Sequence, residues 1–373
     1  MKKFVKLSLA AAVATAGLTT ANAGSLEEAI KGVNVFGYAN LRYNSYNAED
    51  GADNSNTQNV YHKVVLGVNS KINDDFSYTY AGAVLNGNTD TTNATGTDYL
   101  GGMMHTVYSY FTYTGLENVT MTVGQSGIDT PFTDLVDTYG STQEGNGITA
   151  STSYAGINLF AGWYAAHNLG LGDNGANLTA LAASTKIGNV NVDATYIDIK
   201  DTHEGYSVGA KTTLDLNGAK LSPFARYSSL ETEADVESVL WFVGSNFTIG
   251  SINGKLAYGA TDKDAANLAG DNDADAAFLG WNLTMNGYSD GANTGNDQSM
   301  IQAQLNTNLT STINAAIQYN EIDRGNGSNT DEESFVTITY KPSKNLTTYI
   351  RGGVDTIDTV DNTRGRIQLT YTF

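Results

Sequence analysis

Cysteine is absent from this chain, and proline nearly so, with 3 in 373 residues. Without cysteine there is no disulfide scaffold and no thiol-ligated metal site. Basic residues are scarce: 20 Lys and Arg stand against 39 Asp and Glu, a formal charge of -19. A nucleic-acid partner is not expected, because binding phosphates needs a basic footprint. Long apolar runs are missing too. A spanning helix needs about 20 predominantly apolar residues, and the one apolar run, Leu7 to Leu18, is short and N-terminal. That excludes a helical membrane protein. Aromatics, in contrast, are plentiful, with 22 Tyr, 12 Phe and 3 Trp, too many for a chain that avoids collapse.

Residues 1–23 read as a secretory signal. Lys2, Lys3 and Lys6 form a positive start, Leu7–Leu18 an Ala-rich apolar stretch, and Ala21-Asn22-Ala23 a small-x-small cleavage site. Cleavage removes three positive charges, leaving 17 basic and 39 acidic residues from Gly24 onward, a net of -22. Residues 24–373 are then one unit.

That unit has a period of two almost everywhere. Ile301, Ala303 and Leu305 alternate with Gln302, Gln304 and Asn306. Val33, Val35, Ala39, Leu41 and Tyr43 oppose Asn34, Phe36, Tyr38, Asn40, Arg42 and Asn44. Ile367, Leu369, Tyr371 and Phe373 oppose Arg366, Gln368, Thr370 and Thr372. Strict alternation means strands with one apolar and one polar face. The segments are about ten residues long, the length a tilted strand needs to cross a bilayer. Connections alternate between short turns, such as Leu116-Glu117-Asn118 and Ile187-Gly188-Asn189, and long polar loops, such as Asn47–Asn59, Asn86–Tyr99 and Asp262–Gln298. Short on one side and long on the other is the layout of an outer-membrane barrel.

The pattern predicts 18 strands, with 16 as the alternative: 33–46, 59–71, 75–86, 100–114, 118–126, 147–153, 156–167, 177–186, 190–200, 204–215, 219–230, 236–248, 252–262, 299–307, 311–321, 332–341, 346–356 and 364–373. Ala274–Asn286 is left in a loop, which keeps the number even. The expected fold is an all-β, antiparallel transmembrane barrel with short periplasmic turns and long extracellular loops. A soluble sandwich, solenoid or adhesin would show shorter strands or a fixed repeat. Tyr43, Phe111, Tyr113, Tyr227, Tyr319, Tyr340, Tyr371 and Phe373 fall near the ends of outward stripes, as an interfacial girdle requires.

The residues also carry a family resemblance. Ser25-Leu26-Glu27-Glu28-Ala29-Ile30-Lys31-Gly32-Val33-Asn34-Val35 resembles the mature start of the major outer membrane porins of Campylobacter and its relatives. The signal segment Lys6-Leu7-Ser8-Leu9-Ala10-Ala11 and the strand closing on Phe373 are similar to theirs. The similarity runs to Val123-Gly124-Gln125 and resumes at about residue 299. The resemblance implies an 18-stranded trimeric porin that passes small hydrophilic solutes with a preference for cations.

A barrel of this size leaves an aqueous channel. The connection Ser126–Asn146 is the candidate for a constriction loop folded into it. It carries Asp129, Asp134, Asp137 and Glu144, together with Ile128, Phe132, Leu135 and Val136, which could pack against the wall. The alternative is an extracellular loop with a solvated acidic surface. Arg42, Lys63, Lys211, Arg226, Arg351 and Arg366 occupy polar-face positions; near mid-membrane a lipid-facing Arg or Lys costs about 2–4 kcal/mol. A basic wall facing an acidic loop would set a transverse field and the ion preference.

Glu49, Asp50 and Asp53, and Asp271, Asn272, Asp273 and Asp275, are candidates for holding Ca²⁺. Neither group has an EF-hand's Gly and closing Glu, so both read first as solvated loop charge and no cofactor is expected. No Gly-x-Ser-x-Gly elbow, His-Glu-x-x-His or phosphate loop is present. His62 and His105 fall on the apolar side of their strands, and His167 and His203 near loops. The alternatives to a porin are a surface adhesin and a hydrolase barrel with loop-borne groups such as His167 with Asp173. The expected partners are outer-membrane lipid, small solutes and ions, and two further copies of the chain. Mass spectrometry of the exported protein should find Gly24 at its N-terminus; a retained Met1 would contradict the signal reading.

Overall fold

In a computed structural model, the residues described are 32–48, 55–91, 103–133, 143–169, 175–233, 236–262, 297–325 and 330–373. They form nineteen β-segments. In order these are β1 (Val33–Ala48), β2 (Ser55–Lys71), β3 (Phe76–Thr91), β4 (Met103–Leu116), β5 (Val119–Gly127), β6 (Glu144–Tyr154) and β7 (Ile157–His167). Next come β8 (Leu178–Ile187), β9 (Val190–Ile199), β10 (His203–Lys211), β11 (Leu214–Leu216), β12 (Ala219–Thr232) and β13 (Glu237–Ile249). The last are β14 (Ile252–Thr261), β15 (Ser299–Asn308), β16 (Ile313–Asp323), β17 (Thr330–Ser343), β18 (Leu346–Ile357) and β19 (Val360–Thr372).

Each segment pairs antiparallel with its neighbour in sequence, except at β10 and β11. Both of these pair with β12, so they are two halves of one stave, interrupted at Thr212 and Thr213. β19 returns to β1 through eleven register pairs, from Tyr38↔Thr372 to Ala48↔Asn362. The result is a closed barrel of 18 staves. β14 pairs directly with β15, so the ring closes without Ala274–Asn286, which lies outside the described residues.

Closure follows from solvent. In hydrocarbon an unpaired backbone group costs several kcal/mol, so a sheet there has no tolerable edge. The outward positions are apolar: Leu41, Val64, Leu181, Val243, Ile317 and Ile350 all stand exposed. Outward aromatics pair across strands toward both rims. Phe76 meets Tyr113 at 4.7 Å between centroids, Tyr78 meets Phe111 at 4.8 Å, and Trp241 meets Tyr258 at 5.6 Å.

Several expectations need correction in detail. β1, β2 and β3 run further than the pattern indicated, to Ala48, from Ser55 and to Thr91. The loops taken as Asn47–Asn59 and Asn86–Tyr99 are correspondingly shorter, because polar residues continue a strand where it rises out of the membrane. Two connections on the long-loop side are also short, residues 200–202 and 358–359. His105 does not share the outward side. A bulge between β3 and β4 sets Tyr108 opposite Ala81 and Thr106 opposite Gly82, so Val107 is the extra residue and the alternation shifts phase. His105 consequently lies opposite the buried, inward Ala83.

The seam between first and last staves has its own requirement. Gly37 N donates to Phe373 O at 3.1 Å and Phe373 N to Gly37 O at 3.0 Å. A Cβ on Gly37 would lie 2.1 Å from Val65 O, so β1 can run this close to β2 only without a side chain. Gly37→Val should therefore cost about 1–3 kcal/mol. On semi-native gels the folded band should be lost several degrees earlier; an unchanged transition would contradict this account of closure.

Candidate pore constriction

The base of the β5–β6 connection lies inside the barrel. β5 stays paired with β4 only as far as Gln125↔Ser109, yet continues against β6 to Gly127↔Glu144. The end of this hairpin thus parts from the wall. The side-chain amide of Gln125 spans the parting, donating to Thr106 O and to Glu144 Oε2, each at 2.9 Å. Ile128 N donates to Gln143 O at 3.0 Å and closes the loop at its base. Thr130 and Thr133 then form a tight turn, Thr133 N to Thr130 O at 3.0 Å and Thr130 N to Thr133 Oγ1 at 2.8 Å.

Around that turn the chain is anchored by apolar contact. Ile128 and Phe132 are buried in one cluster with Tyr164, Leu178, Ile197, Ile199, Leu230, Leu240 and others. These belong to the inner faces of β7, β8, β9, β12 and β13, whose intervening residues such as Trp163, Leu181 and Val243 face outward. The wall therefore breaks the polar-inside rule where the loop docks, because an apolar residue covered by Phe132 meets no water. Gly205 on β10 makes the seat: a Cβ there would stand 2.8 Å from Leu230 Cδ1 and 3.3 Å from Phe132 Cζ. Toward the short turns the inner wall of β5–β9 turns hydroxylic, and a recess of about 430 Å³ is lined by Thr120, Ser151, Ser153, Asn158 and Ser184.

The acidic residues expected on the loop divide. Asp129 is exposed, while Glu144 is 6% exposed and bonded to Gln125. Asp134 and Asp137, with Leu135 and Val136, lie outside the described residues. So do the two candidate Ca²⁺ clusters, Asp173 and residues 1–23.

The six basic residues occupy two regions. Lys211 and Arg226 are on β10 and β12, on the loop's side of the ring, where Arg226 Nη1 donates to Asp193 Oδ2 at 2.8 Å and to Ser207 Oγ at 2.9 Å. Arg42, Arg351 and Arg366 gather on β1, β18 and β19, half way round the ring from β9 and β10, with the buried Lys63 next to them on β2. Arg42 Nε donates to Gln368 Oε1 at 2.8 Å, Arg351 Nε to Thr337 Oγ1 at 2.9 Å and Arg366 Nε to Asn44 Oδ1 at 2.7 Å. Arg351 also stacks over Phe335, 4.6 Å to the ring centroid. Sequence reasoning missed Arg364, which bonds Asp355 and lies 4.4 Å over the Tyr46 ring. Its signal was its place two residues before Arg366, on the same face of β19.

The family model for the Campylobacter major outer membrane protein matches residues 1–373, the full length. The chain belongs to this family. Among solved structures it is similar to OccK5 (OpdH) of Pseudomonas aeruginosa, with a TM-score of 0.72 and 12% identity over 92% of this chain and 98% of that one. OpdQ of the same organism gives 0.68 and 16% over 91% and 99%. OccAB1 of Acinetobacter baumannii gives 0.69 and 14% over 91% and 97%. At these identities the likeness is one of fold. No curated protein matches. Family and barrel together make this member an outer-membrane channel, and they are those of a channel rather than an enzyme.

If apolar docking holds the loop, removing its anchor should loosen the pore. Phe132→Ala deletes a buried ring, a change that typically costs about 3–5 kcal/mol in a core. The variant should insert normally but show higher and noisier single-channel conductance. Conductance identical to the parent would mean that Phe132 does not hold the constriction.

Proposed function

We propose that this family member is a general-diffusion channel for small hydrophilic solutes, with a mild preference for cations. The observation that carries the reading is the docking of Ile128 and Phe132 on the inner wall, which brings the base of an acidic loop into the lumen. Half way round the ring stand the arginines of β1, β18 and β19. Opposed charges across a gap orient dipolar solutes. At physiological salt screening acts over about 8 Å, so the field is effective only where the pore is narrow. The excess of acid, 39 against 20, inclines the balance toward cations.

Export by residues 1–23 and assembly as a homotrimer belong to the same reading. The outward Ala39, Ala303 and Ala315 supply small residues for packing between copies. Gly37, also outward, already has a reason within one chain.

The test is the reversal potential across a planar bilayer separating unequal KCl solutions. The sign should be that of K⁺ preference, and Asp134→Asn combined with Asp137→Asn should move the potential toward zero. An anion preference, or no change in the double variant, would overturn the proposal.

A further inference from the structure

The inner faces of β18, β19 and β1 hold four arginines, Arg351, Arg364, Arg366 and Arg42, against one carboxylate, Asp355. This is an unusual concentration in a chain with twice as many acids as bases. The register brings the arginines together. Arg351 pairs directly with Arg366, Arg366 with Asn44, and Arg42 with Gln368. Directly opposed residues have Cα atoms about 4.5–5.5 Å apart, and like charges so placed destabilise a sheet. A locally unfavourable choice of this kind marks a functional site.

The guanidiniums are also held in position. Gln368 Oε1 accepts from both Arg42 Nε and Tyr349 Oη at 2.8 Å, and Asn44, Thr337 and the Phe335 ring fix Arg366 and Arg351. Beside them is a recess of about 330 Å³ lined by Asn44, Tyr46, Asn59, Arg364 and Arg366. Asn59 Oδ1 is buried there without a hydrogen-bond partner; as an acceptor it takes a donor and does not bind a carboxylate, so recognition of that group falls to the arginines. Room and positive charge thus coincide.

We propose that this arc is a docking subsite for the carboxylate of a permeating solute. The guanidinium's planar fork matches a carboxylate, and the arc would hold that end of a solute while the rest passes the constriction. The inference rests on the channel reading and names a solute class for it. A pore with net cation preference accommodates such a subsite, because ions follow the summed field while a bound carboxylate follows the local one.

The experiment uses purified full-length protein in planar bilayers carrying K⁺ current, with succinate or uncharged succinamide added. Succinate should interrupt the current saturably and succinamide should not. In Arg42→Gln combined with Arg366→Gln, the half-blocking concentration should rise about tenfold, from loss of hydrogen bonds to a charged group. Lys341→Gln, near the short turns, should leave it unchanged. Equal block by the two probes, or unaltered block in inserted arginine variants, overturns the inference. If those variants fail to insert, the two probes on the unaltered protein decide alone. A protein that passes no K⁺ at all overturns the channel reading, and this inference with it.

Discussion

The satisfaction of backbone hydrogen bonds where no water is available governs this structure. Each of the 18 staves offers two rows of N–H and C=O groups to a hydrocarbon slab that bonds neither. The only stable arrangement is a ring, so the last strand must find the first. The join spans eleven register pairs and ends at the Gly37–Phe373 exchange. The alternating sequence and the missing Cβ at Gly37 both serve that closure.

The ring then makes the interior uneven. One side of the inner wall is apolar because a loop lies on it: Phe132 and Ile128 sit among Leu178, Ile197 and Leu240. The opposite side is ionic, with arginines seated on amide and hydroxyl acceptors of adjacent staves. In the proposed filter neither side works alone: a loop docked inside would narrow the lumen, and narrowness lets fixed charge act before salt screens it.

The staves were legible in the sequence because a two-residue period is enforced wherever lipid and water lie on opposite faces. Ile301 through Asn306 could scarcely be anything else. The signal failed where that enforcement lapses. Above the membrane, β2 and β3 continue in polar residues such as Gln58 and Asn88 that read as loop. At Val107 one extra residue shifts the phase, so counting by twos assigned His105 to the wrong face. On the inner faces of β8 and β9, Leu178, Ile197 and Ile199 obey the loop's chemistry rather than the pore's, and nothing local announces that a distant Phe132 will cover them. The inward docking of Ile128 and Phe132 was readable from the apolar residues that interrupt the acidic ones at the start of Ser126–Asn146. The gathering of Arg42 with Arg351 and Arg366 needed the register across the closing seam, which joins residues more than 300 positions apart.

The absence of cysteine makes a direct test straightforward, since any introduced thiol is unique. Single cysteines placed in turn from Ile313 to Tyr319 on β16, spin-labelled in lipid vesicles, report collisions with oxygen, which favours the bilayer, and with a water-soluble nickel chelate. Labels at 313, 315, 317 and 319 should favour oxygen, and those at 314, 316 and 318 the chelate, in strict alternation. A uniform profile, or both faces open to water, would contradict a closed barrel with lipid outside and solution within.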